Sequence, residues 1–243
     1  MTKFPKMIQK SNHQQFVQVV IGATKNIELN AKFFENSCEN LELFMCGINY
    51  NMTVDSSAFR HCTNLKRLDL FFNGWQSIPK DAFLGLHQLT RLDLSGNPLQ
   101  AIHSEWFQDL TNLEKFRASH CELKEIPNDA FSGVKKLFRL DLSINKIETM
   151  SKSVFQHNKA LEWIDLNRNQ ITSIHRDTFN DLNMLRELDL TGNNCTDLYH
   201  HSNMTLPQIV KMLTPCDSTI QFLCQIPKIA SGLVISIQDN STQ

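Results

Sequence analysis

A chain of 243 residues with 41% hydrophobic and 20% charged side chains has the make-up of a folded protein, too apolar for disorder. A net charge of −1 excludes a global field for nucleic acid or anionic membrane, leaving only a local patch for such a role. Eight glycines and two tyrosines stand against 16 phenylalanines, an excess that needs a structural cause.

The opening segment, MTKFPKMIQKSNHQQ, lacks the apolar core of a secretory signal, so the chain reads as cytoplasmic, as a mature form or as a fragment. No run approaches the ~20 apolar residues of a membrane span. The nearest, Ile229 to Ile237, is broken by Ser231 and Gly232, so membrane insertion is not expected. From residue 16 a pattern begins. A weak copy fits Phe16, Val19, Ile21, Thr24, Leu29 and Phe34, with one extra residue before the next copy.

From there the pattern is regular. Leu41, Leu65, Leu89, Leu113, Leu137, Leu161 and Leu185 are each 24 residues apart. Three residues on lie Phe44, Leu68, Leu92, Phe116, Leu140, Ile164 and Leu188, and five on lie Cys46, Leu70, Leu94, Ala118, Leu142, Leu166 and Leu190. Eight on come Asn49, Asn73, Asn97, Cys121, Asn145, Asn169 and Asn193. Phe59, Phe83, Phe107, Phe131, Phe155 and Phe179 follow ten residues later and account for much of the phenylalanine excess. After Leu198 the pattern stops, with Asn203 where a phenylalanine is due. Beyond it, Thr205-Leu-Pro-Gln-Ile-Val-Lys-Met-Leu213 carries an N-cap candidate, an early proline and one apolar face, which predicts a short helix sealing the last repeat.

LxxLxLxxN followed by a phenylalanine at period 24 resembles the extracellular-type leucine-rich repeat. The likeness extends to insect secreted leucine-rich immune proteins and to Toll-type receptor ectodomains. It implies an α/β solenoid, a right-handed horseshoe with a parallel concave sheet, an irregular or 3-10 convex side and a short C-terminal cap helix. Each repeat is too small to bury its own apolar face, so neighbours must stack. The predicted organisation is an incomplete N-terminal cap over 1–15, an array of about eight repeats over 16–198, a cap over 199–224 and a loose tail over 225–243.

In each strand the residues two and four after the first leucine alternate with the inward ones and line the concave surface. One column reads Gln18, Leu43, Arg67, Arg91, Lys115, Arg139, Trp163 and Glu187. The next reads Val20, Met45, Asp69, Asp93, Arg117, Asp141, Asp165 and Asp189. A ladder of cations beside aspartates is most simply a solvated face that pairs with itself. Arg117, where aspartate is due, is expected to leave a positive patch with Arg91, Lys115 and Arg139. Val20, Leu43, Met45, Ile48, Phe71 and Phe72 form an apolar zone, and Trp163 is either a partner anchor or a plate packed on Arg139. The candidate contact residues are Arg67, Asp69, Phe71, Phe72, Arg91, Asp93, Lys115, Arg117, Arg139, Asp141, Trp163, Asp165 and Arg168.

Cys46 and Cys121 occupy inward columns and read as buried thiols. Cys38 and Cys62 hold the same phase of adjacent repeats, either as a disulfide or as stacked thiols. The resemblance implies a cysteine-bearing C-terminal cap, with Cys195–Cys216 the first pairing and Cys216–Cys224 the second. Sequons begin at Asn51, Asn194, Asn203 and Asn240, Asn203 being the foremost glycan site. Together these features favour an extracellular glycoprotein, secreted or at the cell surface, over a cytoplasmic relative with free thiols. No phosphate loop, nucleophile elbow, zinc spacing or paired-carboxylate site is present, so neither enzyme activity nor a cofactor is expected.

The function expected from the resemblance is non-catalytic recognition of a protein or pathogen-associated ligand through the concave face, in innate immunity or cell-surface signalling. The alternative is a structural or adhesion protein that uses its lateral edges. A nucleic-acid partner is not expected; dimerisation with itself or another chain stays open.

Overall fold

The computed structural model describes residues 8–10, 17–22, 28–34, 38–49, 52–56, 58–195 and 199–201, with side chains described from residue 28 to residue 195. Its centre is a ten-stranded sheet. In chain order the strands are Ile8–Lys10, Val17–Gly22, Leu41–Gly47, Arg67–Asp69, Arg91–Asp93, Lys115–Arg117, Arg139–Asp141, Trp163–Asp165, Glu187–Asp189 and Tyr199–His201. From Val17–Gly22 to Glu187–Asp189 every pairing is parallel. Leu68 faces Leu92, Leu92 faces Phe116, Phe116 faces Leu140 and Leu140 faces Ile164, so the period of 24 is the register of the sheet. The extra residue of the weak first copy is a bulge: Val17 pairs with Leu41, whereas Gln18 pairs with Leu43.

Both ends of the sheet close with an antiparallel strand. Ile8–Lys10 runs against Val17–Val19, and Tyr199–His201 runs against Glu187–Asp189. Neither closing strand is legible in the repeat pattern. The cap helix expected over 205–213 lies outside the described residues, as do most of the segments assigned to the caps and the tail.

Alternation along each strand sends the leucine columns inward. Leu68, Leu92, Leu140 and Leu188 are fully buried, as are Leu70, Leu94 and Leu142. Phe59, Phe83, Phe107, Phe131, Phe155 and Phe179 form the second wall of the core. Phe131 and Phe155 stack with centroids 6.3 Å apart, and Phe155 and Phe179 at 6.0 Å. Among the described residues the convex side holds one 3-10 turn, Ser104–Phe107, and two two-stranded pairings, Glu28–Leu29 with Thr53–Val54 and Thr149–Met150 with Ser173–Ile174. The remainder of that side, among the described residues, is turns and irregular chain.

The asparagine column satisfies the backbone where each strand ends. The Asn97 side-chain amide donates to the carbonyls of Leu70 and Leu94, each at 2.8 Å. Asn145 repeats this with Ala118 and Leu142, Asn169 with Leu142 and Leu166, and Asn193 with Leu166 and Leu190. The amide oxygen accepts from the repeat before: Asn97 Oδ1 takes the Asn73 N–H at 2.9 Å. Six buried asparagines thereby pair backbone groups that would otherwise be stranded away from water.

Candidate recognition face

Side chains of the two outward columns meet as expected, but they are not a solvated ladder. Asp69, Asp93 and Asp141 are 2%, 4% and 6% exposed, because the longer arginine side chains fold over them. Arg67 Nη2 lies 2.6 Å from Asp69 Oδ2, and Arg91 Nε lies 3.2 Å from Asp69 Oδ1. Arg91 Nη2 also reaches Asp93 at 3.5 Å. Arg117 sits in the aspartate column and spans both its neighbours, with Nη1 3.2 Å from Asp93 and Nε 3.0 Å from Asp141. Burial alone would depress the Arg117 guanidinium, yet Asp93 and Asp141 carry its pKa above the ordinary value.

This overturns two expectations. The positive patch of Arg91, Lys115, Arg117 and Arg139 is not a free field, since Arg91 and Arg117 are neutralised by carboxylates on the same face. Asp69, Asp93 and Asp141 are not open contact residues but the floor beneath the arginines. The same carboxylates also hold the backbone: Asp93 Oδ1 accepts the Ser95 N–H at 3.1 Å, and Asp141 Oδ1 accepts the Ser143 N–H at 3.2 Å. The serine two residues after Asp93 and after Asp141, as in an Asx turn, was the sequence signal for this role.

Toward the C-terminal end the lattice changes character. Trp163 replaces the cation, and the Arg139 guanidinium lies over its ring, 4.1 Å from the centroid. Lys115 stands 5.4 Å from the centre of the Phe138 ring. Arg139 is exposed and Trp163 half-buried, so the pair presents a flat aromatic–cation plate to solvent. Beyond it, no cation among the described residues pairs with Asp165 or Asp189. Asn167 bridges them instead, 2.7 Å from Asp165 Oδ1 and 3.2 Å from Asp189 Oδ2. Burial pushes the Asp165 carboxyl up to about 6; the Asn167 N–H opposes the shift, while Asp141 and Asp189 add to it.

The edge where the strands end has its own regularity. The residue just before each ladder position is Ile48, Phe72, Gly96, His120, Ile144, Arg168 or Gly192, and all seven have φ between 50° and 73°. That left-handed region costs a non-glycine residue roughly 1 kcal/mol and suits isoleucine least. Ile48, Phe72 and Ile144 are nonetheless 54%, 52% and 41% exposed. The Phe72 ring lies over Gly96, where a Cβ would come within 2.3 Å of it, and Phe71 covers Gly47 in the same way. Phe72 and His120 meet edge to face across that glycine, 6.4 Å between centroids. The two glycines in the column were the sequence signal for this conformation. Sequence reasoning marked Ile48, Phe71, Phe72 and Arg168 but not His120 or Ile144. The side chain of Val20 lies outside the described residues.

Cys38 and Cys62 are disulfide-bonded with Cα atoms 4.7 Å apart, and Cys195 is also disulfide-bonded. Cys216 and Cys224, and with them the expected Cys195–Cys216 and Cys216–Cys224 pairings, lie outside the described residues. Cys46 and Cys121 are free buried thiols, each pushed up to about 12 by burial. Of the sequon asparagines only Asn194 is described; it is exposed and donates to the Gln170 carbonyl at 3.1 Å. Among the described residues no group of three His, Cys, Asp or Glu side chains could hold a metal ion. An open groove of about 470 Å³ beside Trp75 is lined by no titratable side chain. Among the same residues no helix is long and apolar enough to cross a membrane.

Comparisons with known proteins agree with this geometry. The leucine-rich repeat family profile matches residues 39–99, 63–123, 91–147, 119–171, 136–195 and 164–212 in overlapping copies. No curated protein matches the chain. Among solved structures it is similar to Toll in the Toll–Spatzle complex of Drosophila, with a TM-score of 0.65 and 24% identity over 69% of this chain and 22% of that one. It is also similar to TLR13 in complex with the single-stranded RNA ssRNA13, with a TM-score of 0.66 and 28% identity over 74% of this chain and 25% of that one. The chain therefore spans about a quarter of the length of these two structures or less. By its repeats, its sheet register and these likenesses, the chain belongs to the leucine-rich repeat family and resembles a section of a Toll-type receptor ectodomain.

Proposed function

We propose that this chain is a non-catalytic recognition module that binds a protein partner through its concave face, on the outside of the cell. The observation that carries this reading is the Arg139–Trp163 plate, half-exposed at the point where the self-neutralised lattice ends. A rigid aromatic with a stacked guanidinium is the kind of anchor protein interfaces concentrate energy on. The likeness to Toll and TLR13 supports a place in innate immunity or cell-surface signalling, and the Cys38–Cys62 disulfide supports an oxidising compartment.

TLR13 is described with an RNA ligand, which makes nucleic acid the competing reading. The charge on this face opposes it. Arg67, Arg91, Lys115, Arg117 and Arg139 share the sheet with Asp69, Asp93, Asp141, Asp165, Asp189 and Glu187, so no cationic funnel tracks a phosphate backbone.

The test compares the native chain with Arg139→Ala/Trp163→Ala, immobilised and exposed to extracellular fluid and, separately, to single-stranded RNA. A protein retained by the native chain and lost by about tenfold or more from the variant, with no RNA retained, is the expected result. Salt-sensitive RNA retention, or identical protein retention by both chains, would move the function elsewhere. The structural or adhesion alternative, with contacts through lateral edges, predicts identical retention.

A further inference from the structure

We infer that Asn194 carries an N-linked oligosaccharide, which covers the lateral column of the last repeats and leaves the concave face open. The inference rests on the extracellular reading above, since such sugars belong to surface loops of secreted proteins.

The chain supplies the acceptor. Asn194-Cys195-Thr196 has the required spacing, with a residue other than proline in the middle. Asn194 stands in the turn after the Glu187–Asp189 strand and is exposed, whereas Asn193 beside it is buried in the ladder. The turn is held by its backbone. The N–H groups of Asn194 and Cys195 both reach the Ile171 carbonyl at 3.0 Å, and Asn193 Oδ1 takes the Ile171 N–H at 3.1 Å.

The amide nitrogen has capacity for the sugar. Asn194 Nδ2 carries two hydrogens and donates to the Gln170 carbonyl at 3.1 Å, with no other acceptor among the described residues. In the transfer a bond forms between Nδ2 and the anomeric carbon of an oligosaccharide linked to a polyprenyl diphosphate. The bond from that carbon to the diphosphate oxygen breaks, and the diphosphate leaves with its electron pair. One Nδ2 proton passes to a base of the transferring enzyme. The remaining N–H still reaches Gln170, so the fold keeps this contact while it carries the sugar.

Position decides what the sugar covers. One and two repeats earlier the same column holds Gln170 and Lys146, both exposed, and then Glu122, 2.9 Å from Lys146. At about 4.8 Å per repeat, Lys146 lies roughly 10 Å from Asn194. The column is separated from the outward face of the sheet by the buried asparagine ladder. A bulky, hydrated group there closes this lateral edge to a partner and leaves Trp163 open. It thereby opposes contacts through this edge and favours the concave face.

The test uses the whole chain, secreted from a eukaryotic cell line behind a cleavable leader. Enzymatic deglycosylation in heavy-oxygen water, read by peptide mass spectrometry, should show Asn194 converted to labelled aspartate. Asn194→Gln and Thr196→Ala should each lose that glycan, and Thr196→Ala keeps Asn194 and its bond to Gln170. Unlabelled Asn194 in chains whose Cys38–Cys62 disulfide has formed would overturn the site and leave the extracellular reading standing. Reduced Cys38 and Cys62 with no sequon labelled would count against both. Sugar retained at Asn194 in Thr196→Ala would overturn the acceptor assignment. Acetylation of the folded chains tests the placement: Lys146 should react faster in Thr196→Ala than in the glycosylated chain, and Lys115 on the concave sheet at the same rate. An unchanged Lys146, or a faster Lys115, would overturn the lateral cover.

Discussion

Asn145 Oδ1 accepts the backbone N–H of Cys121 at 2.8 Å, but Cys121 has no amide oxygen to offer Asn97 one repeat earlier. The ladder is therefore broken at one rung. The thiol points at the Leu94 and Ser119 carbonyls, at 3.3 and 3.4 Å, and takes over only the donating half of the asparagine role. In the rungs from Leu123 to Ile171 the N–H two residues past the ladder position goes to the next amide oxygen; Leu99 turns back to the Asn97 carbonyl at 2.7 Å instead. Gln100 and Glu122, on either side of the faulty rung, are the described non-glycine residues with positive φ that lie outside the edge column.

Restoring the rung should stabilise the fold. Cys121→Asn is expected to add about 1 kcal/mol, the usual net worth of a buried hydrogen bond. Urea unfolding monitored by circular dichroism measures this. An unchanged or lower midpoint would mean that the thiol is better fitted to this site than its hydrogen bonds indicate.

Arg117 holds two nearly buried carboxylates together. Arg117→Glu places a third carboxylate between Asp93 and Asp141 and should destabilise the chain by about 3 kcal/mol, as breaking buried ion pairs does. Lys115→Glu, in the more exposed column next to it, should change stability by no more than about 0.5 kcal/mol. Equal effects in calorimetry would refute the distinction between lattice and surface. Arg117 is accordingly a poor choice for probing partner binding, and Trp163 a better one.

Asp165 links stability to pH. Its carboxyl is raised from 3.8 to about 6 by burial, with Asp141 and Asp189 adding repulsion. The folded chain holds this proton more tightly than the unfolded one. The contribution to stability is therefore complete below about pH 3.8 and fades as pH rises through about 6. Asp165→Asn keeps an acceptor for Asn167 and removes the charge. Its thermal midpoint should exceed that of the native chain at pH 7 and converge with it near pH 4. A constant difference across that window would exclude Asp165 as the titrating group.

The cysteines should divide sharply. Cys38→Ser/Cys62→Ser opens a link between residues 24 apart and should lower stability by about 3 kcal/mol. Cys46 and Cys121, buried and held as thiols, should resist alkylation in the native state and react only on unfolding. Urea unfolding checks the first, and mass spectrometry after iodoacetamide treatment, with and without denaturant, checks the second. Rapid labelling of Cys121 in the native chain would contradict its burial.

The inward and outward sorting of Leu68, Arg67, Asp69 and their counterparts was legible in the sequence, because side-chain direction in a strand is a local property with a period of two. So were the sheet register and the ladder, since each repeats every 24 residues, and the bulge between the Val17–Leu41 and Gln18–Leu43 pairs, since one extra residue breaks that period there. The fate of the charges was not legible. Whether Arg117 is an open cation or a bridge depends on partners 24 residues away, on strand spacing and on side-chain reach. The left-handed edge was hinted at by Gly96 and Gly192 alone, because Ile48 and Ile144 are residues that local preference would place elsewhere. Sequence by itself determined what is core and what is face. Tertiary structure decided which parts of the face are already occupied, because the contacts that settle it, Arg117 with Asp93 and Asp141 and Arg139 with Trp163, join residues the chain keeps a full repeat apart.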